Sequence, residues 1–343
     1  MLTYQNLSAR PAAFQSMIGL SVAAFDQLYA EIAPAHVQRL AQALTKRHRQ
    51  PRKRVAGAGK PHSHSLQDRL LLALLWLRVY PTLEVLGFFF GLDKTNAEDN
   101  LKDVLATLDT MTSFAYDRPT KDRPKMRSAQ AVMDAFPDVC LVIDAKEQRI
   151  QMPRSSAFSG LAARMTRATA ARSLSSQKPF YSGKKKAHTL KNQVAVDPQG
   201  RFLSVSGSVP GGQNHDLTLL RATGLLDKLA PGEAAMMDKG YDGITKDYPD
   251  ACLYLPHKAR RAHPLSEEQK AYNRHLSRYR IIVEHSLAQA NQFQALAQVF
   301  RHGHDRHPQV MRVVAGLVNR RLDKGPLKSY DKSYDKFYEQ AAD

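Results

Sequence analysis

Two short apolar runs, each closed by an aspartate, constrain this chain more than any other feature. Val139-Cys140-Leu141-Val142-Ile143 stops at Asp144, and Ala234-Ala235-Met236-Met237 stops at Asp238. Apolar runs of four or five residues between polar flanks predict strands buried on both faces, as in a central sheet flanked by helices. An ionised carboxylate at the end of such a strand costs several kcal/mol to desolvate unless a cation meets it. Open α/β sheets present ligand-binding side chains at that edge. The runs therefore predict an α/β fold with an acidic centre at one end of its sheet.

The neighbouring segments supply the rest of such a sheet. Gln148 to Met152 alternates weakly. Asn192–Val196, the turn Asp197-Pro198-Gln199-Gly200 and Arg201–Ser206 read as a hairpin. Leu217–Leu229 has helical spacing, with Asn214 or Asp216 as its expected N-cap. Ala251–Leu255 is a further strand. Ser266 and Gln269 form a capping pair that opens a helix running to about Gln298 and carrying Glu284. In that order Asp144, Asp238 and Glu284 reach one edge of an RNase H-like mixed sheet flanked by helices. Hard carboxylate oxygens there suit Mg²⁺ or Mn²⁺, and three of them suit two ions. His302, His304 and His307 have metal-like spacing without acidic or Cys support.

The chain before this sheet reads as all-α. Ser21 caps an amphipathic helix, and a second short helix is expected after Pro34, carrying Val37, Leu40 and Leu44. Leu66–Val79 is apolar almost all round, which predicts a buried helix. Leu83–Phe90 follows, then a turn at Gly91, then a helix from Lys94 to about Leu108 opened by Thr95 and Glu98. Three helices with a short Gly-containing turn before the last fit a helix-turn-helix, preceding the α/β domain. Asn96 and Asn100 are its candidate base-reading residues. The expected division is N-terminal helices at 1–46, a basic linker and helix-turn-helix at 47–110, a linker at 111–135, the RNase H-like domain at 136–322 with a basic insertion at about 154–182, and a mobile tail at 323–343.

Charge indicates the partner. Fifty Lys and Arg against 32 Asp and Glu leave +18 over 343 residues. Seven cations between Lys46 and Lys60 and ten between Arg149 and Lys191 stand in tracts without a single acid. Such tracts displace counterions from a phosphate backbone. Arg52, Lys53 and Arg54 in the first, and Lys184, Lys185, Lys186 and Lys191 in the second, with His188 between them, are candidate DNA contacts. The longest apolar run, Leu70–Leu77, is too short to span a bilayer, so a membrane partner is not expected. Two cysteines make no disulfide framework and predict a reducing compartment.

Val142-Ile143-Asp144, the block from Tyr181 to Lys191, Asn214-His215-Asp216, Asp238-Lys239-Gly240-Tyr241-Asp242-Gly243 and Arg280-Ile281-Ile282-Val283-Glu284-His285 together resemble the DDE transposases of bacterial insertion sequences. They are most similar to the IS5-type proteins, which carry a DDE superfamily endonuclease domain. The resemblance implies that Asp144, Asp238 and Glu284 are the metal carboxylates, holding Mg²⁺ or Mn²⁺, and that Arg280 pairs with Glu284 or holds a phosphate. It implies cleavage at the inverted-repeat ends of an element and transfer of the 3′-OH ends to target DNA. A homodimer acting on double-stranded DNA, in the bacterial cytoplasm on the nucleoid, goes with that role. Ser277 and Asn291 depart from the family's tyrosine and lysine around the arginine–glutamate pair. The alternative functions are a catalytically silent DNA-binding regulator and a metal-dependent nuclease that does not transpose.

Overall fold

The computed structural model describes residues 1–47, 63–112, 136–153, 177–259 and 263–322. The expected contacts Arg52, Lys53 and Arg54, most of the basic insertion and the tail lie outside them. The described residues divide into two compact units. One comprises residues 1–113 with Asn291–Gln298 and Asp305–Val314; the other comprises the remainder. No helix among the described residues is long and apolar enough to cross a membrane.

The first unit is all-α. Its helices are α1 (Tyr4–Ser8), α2 (Pro11–Ile18), α3 (Val22–Arg47), α4 (Leu66–Val79), α5 (Leu83–Phe90) and α6 (Lys94–Met111). Ser21 caps α3 as expected, accepting from the Ala24 amide at 3.2 Å. The break expected at Pro34 does not occur, for α3 runs through it as one helix. Helix α4 is the centre of the unit, with Arg69 to Leu77 all buried. The N-cap of α6 is Asp93, earlier than a Thr95–Glu98 box would place it: its carboxylate accepts from the Asn96 amide at 2.8 Å.

Three acids of α6 are paired. Asp103 receives Arg39 from α3 and Arg69 from α4, and Glu98 receives Arg306 at 3.0 Å. Asp109 takes a two-pronged bond from Arg312, both contacts at 2.7 Å. Arg306 and Arg312 come from segments that the sequence assigned to the α/β domain and that pack in this unit instead.

The second unit is built on a mixed sheet. Its strands are β1 (Val139–Arg149), β2 (Tyr181–Ser182), β3 (Ala187–Val196), β4 (Phe202–Val205), β5 (Val209–Pro210), β6 (Ala234–Met236) and β7 (Cys252–Tyr254). The order is β2-β3-β1-β6-β7, with β4 and β5 also paired to β3. Strand β3 runs antiparallel to β1, while β6 and β7 extend the sheet in parallel on the other side. This is the mixed, helix-flanked sheet of an RNase H-like fold.

Two local expectations change here. Strand β1 does not stop at Asp144 but continues to Arg149, absorbing the start of the weak run at Gln148, because β3 pairs with it from Val142 to Arg149. The helix after Asn214 is α7 (Asp216–Thr223), much shorter than predicted: Gly224, at φ 55°, ends it and a 3-10 turn follows.

Helix α8 (Glu267–Asn291) opens with the predicted reciprocal cap between Ser266 and Gln269, both bonds at 3.1 Å. It stops at Asn291 rather than near Gln298, and a separate short helix, α9 (Gln294–Ala297), follows. The predicted β3–β4 turn locks α8 to the sheet. Asp197 Oδ1 accepts from the amides of Gln199 and Arg201, and Gly200 takes φ 81°. Ser286 Oγ donates to the Gly200 carbonyl at 2.7 Å. A Cβ on Gly200 would lie 2.9 Å from that same oxygen. The last helix, α10 (His307–Leu322), supplies Asn319, whose amide clamps the Phe202 backbone from both sides, at 2.8 and 2.9 Å.

Candidate active site

Strand register brings the two aspartates together. In the parallel β1–β6 pair, Val142 is opposite Met236. Asp144 and Asp238 each lie two residues further on, where β6 has ended and β1 has no parallel neighbour. Asp238 then caps a 3-10 turn at Lys239–Tyr241, its Oδ1 accepting from the Gly240 amide at 2.5 Å. Asp144 Oδ1 accepts from the Ala145 amide at 2.8 Å.

Asp144 is half-buried, and its carboxyl is pushed above the usual carboxylate range, chiefly by burial. The charges of Asp238 and Asp216 push the same way; the Ala145 amide and Arg280 oppose them. Arg280, on α8, sets its Nη2 4.0 Å from Asp238 Oδ2. Its ion pair is thus with an aspartate of the sheet rather than with Glu284. Glu284, one turn further along α8, is exposed, and it is not among the charges that act on Asp144.

Asp216 enters this centre too. It sits in the first turn of α7 rather than at the cap position, which His215 occupies. Lys191 Nζ donates to Asp216 Oδ1 at 2.9 Å and meets Glu147 Oε1 at 3.2 Å. Glu147 is directly opposite Lys191 in the β1–β3 register. Lys191 is therefore buried in ion pairs and is removed from the candidate DNA contacts. Asn100 is removed as well: it is buried and donates to the Asn96 carbonyl at 2.7 Å.

The other candidates keep their access. Asn96 is exposed, though its side-chain amide donates to Asp93 at 2.5 Å. Lys184, Lys185 and Lys186 form the exposed tip of the β2–β3 hairpin, Lys186 at φ 48°. His188 packs edge-on against the half-exposed ring of Tyr181 beneath that tip. Lys146, two residues beyond Asp144, has its amine pushed down to about 8, by burial first and by Lys185 second.

Among the described residues no three His, Cys, Asp or Glu side chains are grouped so as to hold a metal ion together, the three late histidines included. Mg²⁺, however, is commonly held by one or two carboxylates with water and phosphate oxygens completing its shell. The adjoining carboxylates of Asp144 and Asp238, one of them desolvated and repelled by its neighbours, fit that requirement.

Sequence reasoning undervalued Asp216, which the motif Asn214-His215-Asp216 contains but whose spacing looks like an ordinary helix start. The family model for the DDE superfamily endonucleases matches residues 143–319, a span that holds Asp144, Asp238 and Glu284 as well as Asp216. A probable transposase for the insertion sequence element IS702 of Microchaete diplosiphon is 28% identical over 257 residues, 75% of this chain and 81% of that protein. No solved structure matches significantly.

Proposed function

The chain belongs to the DDE superfamily endonucleases, and on that footing we propose that it is the transposase of an insertion sequence. It cleaves phosphodiester bonds at the inverted-repeat ends of its element and joins the freed 3′-OH ends to target DNA. The observation that carries this reading is the β1–β6 register, which aligns Asp144 with Asp238 beside Arg280. The similarity to a probable insertion-sequence transposase over three quarters of the chain supports the biological role.

In this reading Asp144 and Asp238 bind Mg²⁺ or Mn²⁺, with Glu284 as the third carboxylate, as the family pattern has it. A divalent pair bound there supplies activation of an attacking oxygen and stabilisation of the leaving one. Water attacks first and frees a 3′-hydroxyl; that hydroxyl then attacks a target phosphate in line. Neither step needs a nucleophile from the protein. Arg280, with one nitrogen near Asp238 and its side chain only 14% exposed, meets a phosphate oxygen at the same edge in this reading. Lys184, Lys185 and Lys186 track the DNA backbone from the hairpin tip. The helical unit binds the element ends, with Asn96 as its remaining base-reading candidate, and two copies bring two ends together.

The test is strand cleavage of cloned element ends in Mg²⁺, Mn²⁺ and EDTA. Cleavage with either ion and none in EDTA supports the proposal. DNA binding without cleavage under all three conditions would identify a silent regulator, and cleavage without joining a plain nuclease.

A further inference from the structure

Gly240 is wedged between two acids. A Cβ added to it would lie 2.7 Å from Asp216 Oδ2 and 2.9 Å from Asp238 Oδ1. Lys191 holds the other oxygen of Asp216 and also donates to the Asn214 carbonyl at 2.9 Å. The Asp216 carboxylate is thus tethered through Oδ1 and turns Oδ2 toward Asp238 across a residue that has no side chain. Four acids (Asp144, Asp216, Asp238 and Glu147) face two cations (Lys191 and Arg280) in this network, leaving two negative charges.

A separate observation concerns Tyr241. Its side chain is fully buried, and its hydroxyl has no hydrogen-bond partner among the described residues. The charges of Asp216, Asp144 and Asp238, in that order, bear on this hydroxyl. Leaving a buried hydroxyl unsatisfied costs about 1–3 kcal/mol. The Nε of Arg280 is also buried without a partner among the described residues. An unsatisfied hydroxyl beside uncompensated carboxylates suits a hydrated cation, whose water donates to the hydroxyl and whose charge balances the acids.

We infer that Asp216, anchored by Lys191, is a further carboxylate of the Asp144–Asp238 cation site, and that the Tyr241 hydroxyl completes the site through the cation's water. This rests on the cation-binding role given to Asp144 and Asp238 above. Mg²⁺ and similar ions keep several waters, so a carboxylate one water layer away still adds to affinity.

The experiment is titration of the full chain, without DNA, with Mn²⁺, following the decrease of the free-ion electron paramagnetic resonance signal. Asp216→Asn should weaken Mn²⁺ binding about 10-fold or more, the scale of outer-shell effects at metal sites. Tyr241→Phe should weaken it about 3-fold or more. Wild-type affinity in Asp216→Asn, with binding abolished in Asp144→Asn, would overturn this inference and leave the cation role of Asp144 standing. Wild-type affinity in Asp144→Asn would overturn both. If Asp216→Asn does not fold, Asp216→Ser decides: it removes the carboxylate and leaves Asp238 and Gly240 unchanged. Unchanged affinity there overturns the inference, and a weakening of about 10-fold upholds it.

Discussion

Asp144 carries a conflict between stability and function. Its carboxyl titrates high because the folded chain buries it beside Asp238 and Asp216. A raised acid pKa means that the folded state binds the proton more tightly than the unfolded one. Ionising Asp144 therefore costs stability as pH rises from the ordinary carboxylate value through the raised one. Asp144→Asn should accordingly raise the melting temperature at pH 7.5 in the absence of divalent ions, and the gain should shrink at pH 4.5. The same variant should cleave about 100-fold more slowly or worse. Added Mn²⁺ should stabilise the wild type and not the variant, by linkage to binding. Melting curves at two pH values, with and without Mn²⁺, check each part. Asp238→Ala should also abolish metal-dependent cleavage while leaving DNA binding largely intact, read by gel shift beside the cleavage assay.

At the scale of elements, the turn between β3 and β4 fixes where α8 lies against the sheet and hence where Arg280 meets Asp238. Gly200 adopts a left-handed conformation with Ser286 Oγ against it. Gly200→Ala should cost about 1–2 kcal/mol, from backbone strain and the displaced hydroxyl. Denaturant melts measure the destabilisation, and cleavage should fall with it as Arg280 moves. The β2–β3 hairpin makes a different contribution. Replacing Lys184, Lys185 and Lys186 by Ala should weaken binding to all DNA sequences and flatten its salt dependence, by about 0.9 in log–log slope for each phosphate that is no longer neutralised. Binding isotherms at three salt concentrations read that slope directly.

At the scale of the whole molecule, the units are not simply consecutive stretches of chain. Helix α9 packs on α4, and Arg78 of α4 donates to the Gln292 carbonyl at 2.6 Å. Arg312 adds its paired bonds to Asp109. Removing residues 1–110 therefore strips partners from Leu296, Val310 and Met311, which are buried in the first unit. The truncated chain should aggregate or melt at lower temperature, measured by size exclusion and thermal unfolding. Arg312→Ala is the milder probe. It leaves Asp109 without its partner and should destabilise the helical unit by about 1–3 kcal/mol, with Asp144 and Asp238 unaltered.

Much of this protein was legible one residue at a time. Leu66–Val79 and Leu83–Phe90 have the predicted bounds because Ser65 and Thr82 cap them through amides three residues on, a wholly local interaction. The apolar stretches of strand leading into Asp144 and Asp238 were visible because burial on two faces demands uninterrupted apolar residues. Periodicity carries no information about long-range pairing, and there the reading failed. The continuation of β1 past Asp144 depends on β3, the burial of Lys191 depends on Glu147 and Asp216, and the packing of Asn291–Gln298 and Asp305–Val314 in the helical unit depends on α4 and α6. Local sequence sets caps, turns and which residues must be buried. Which acids become neighbours, and which cations neutralise them, follows from pairings between strands and helices distant in the chain, because electrostatic coupling depends on separation in space and not along the backbone.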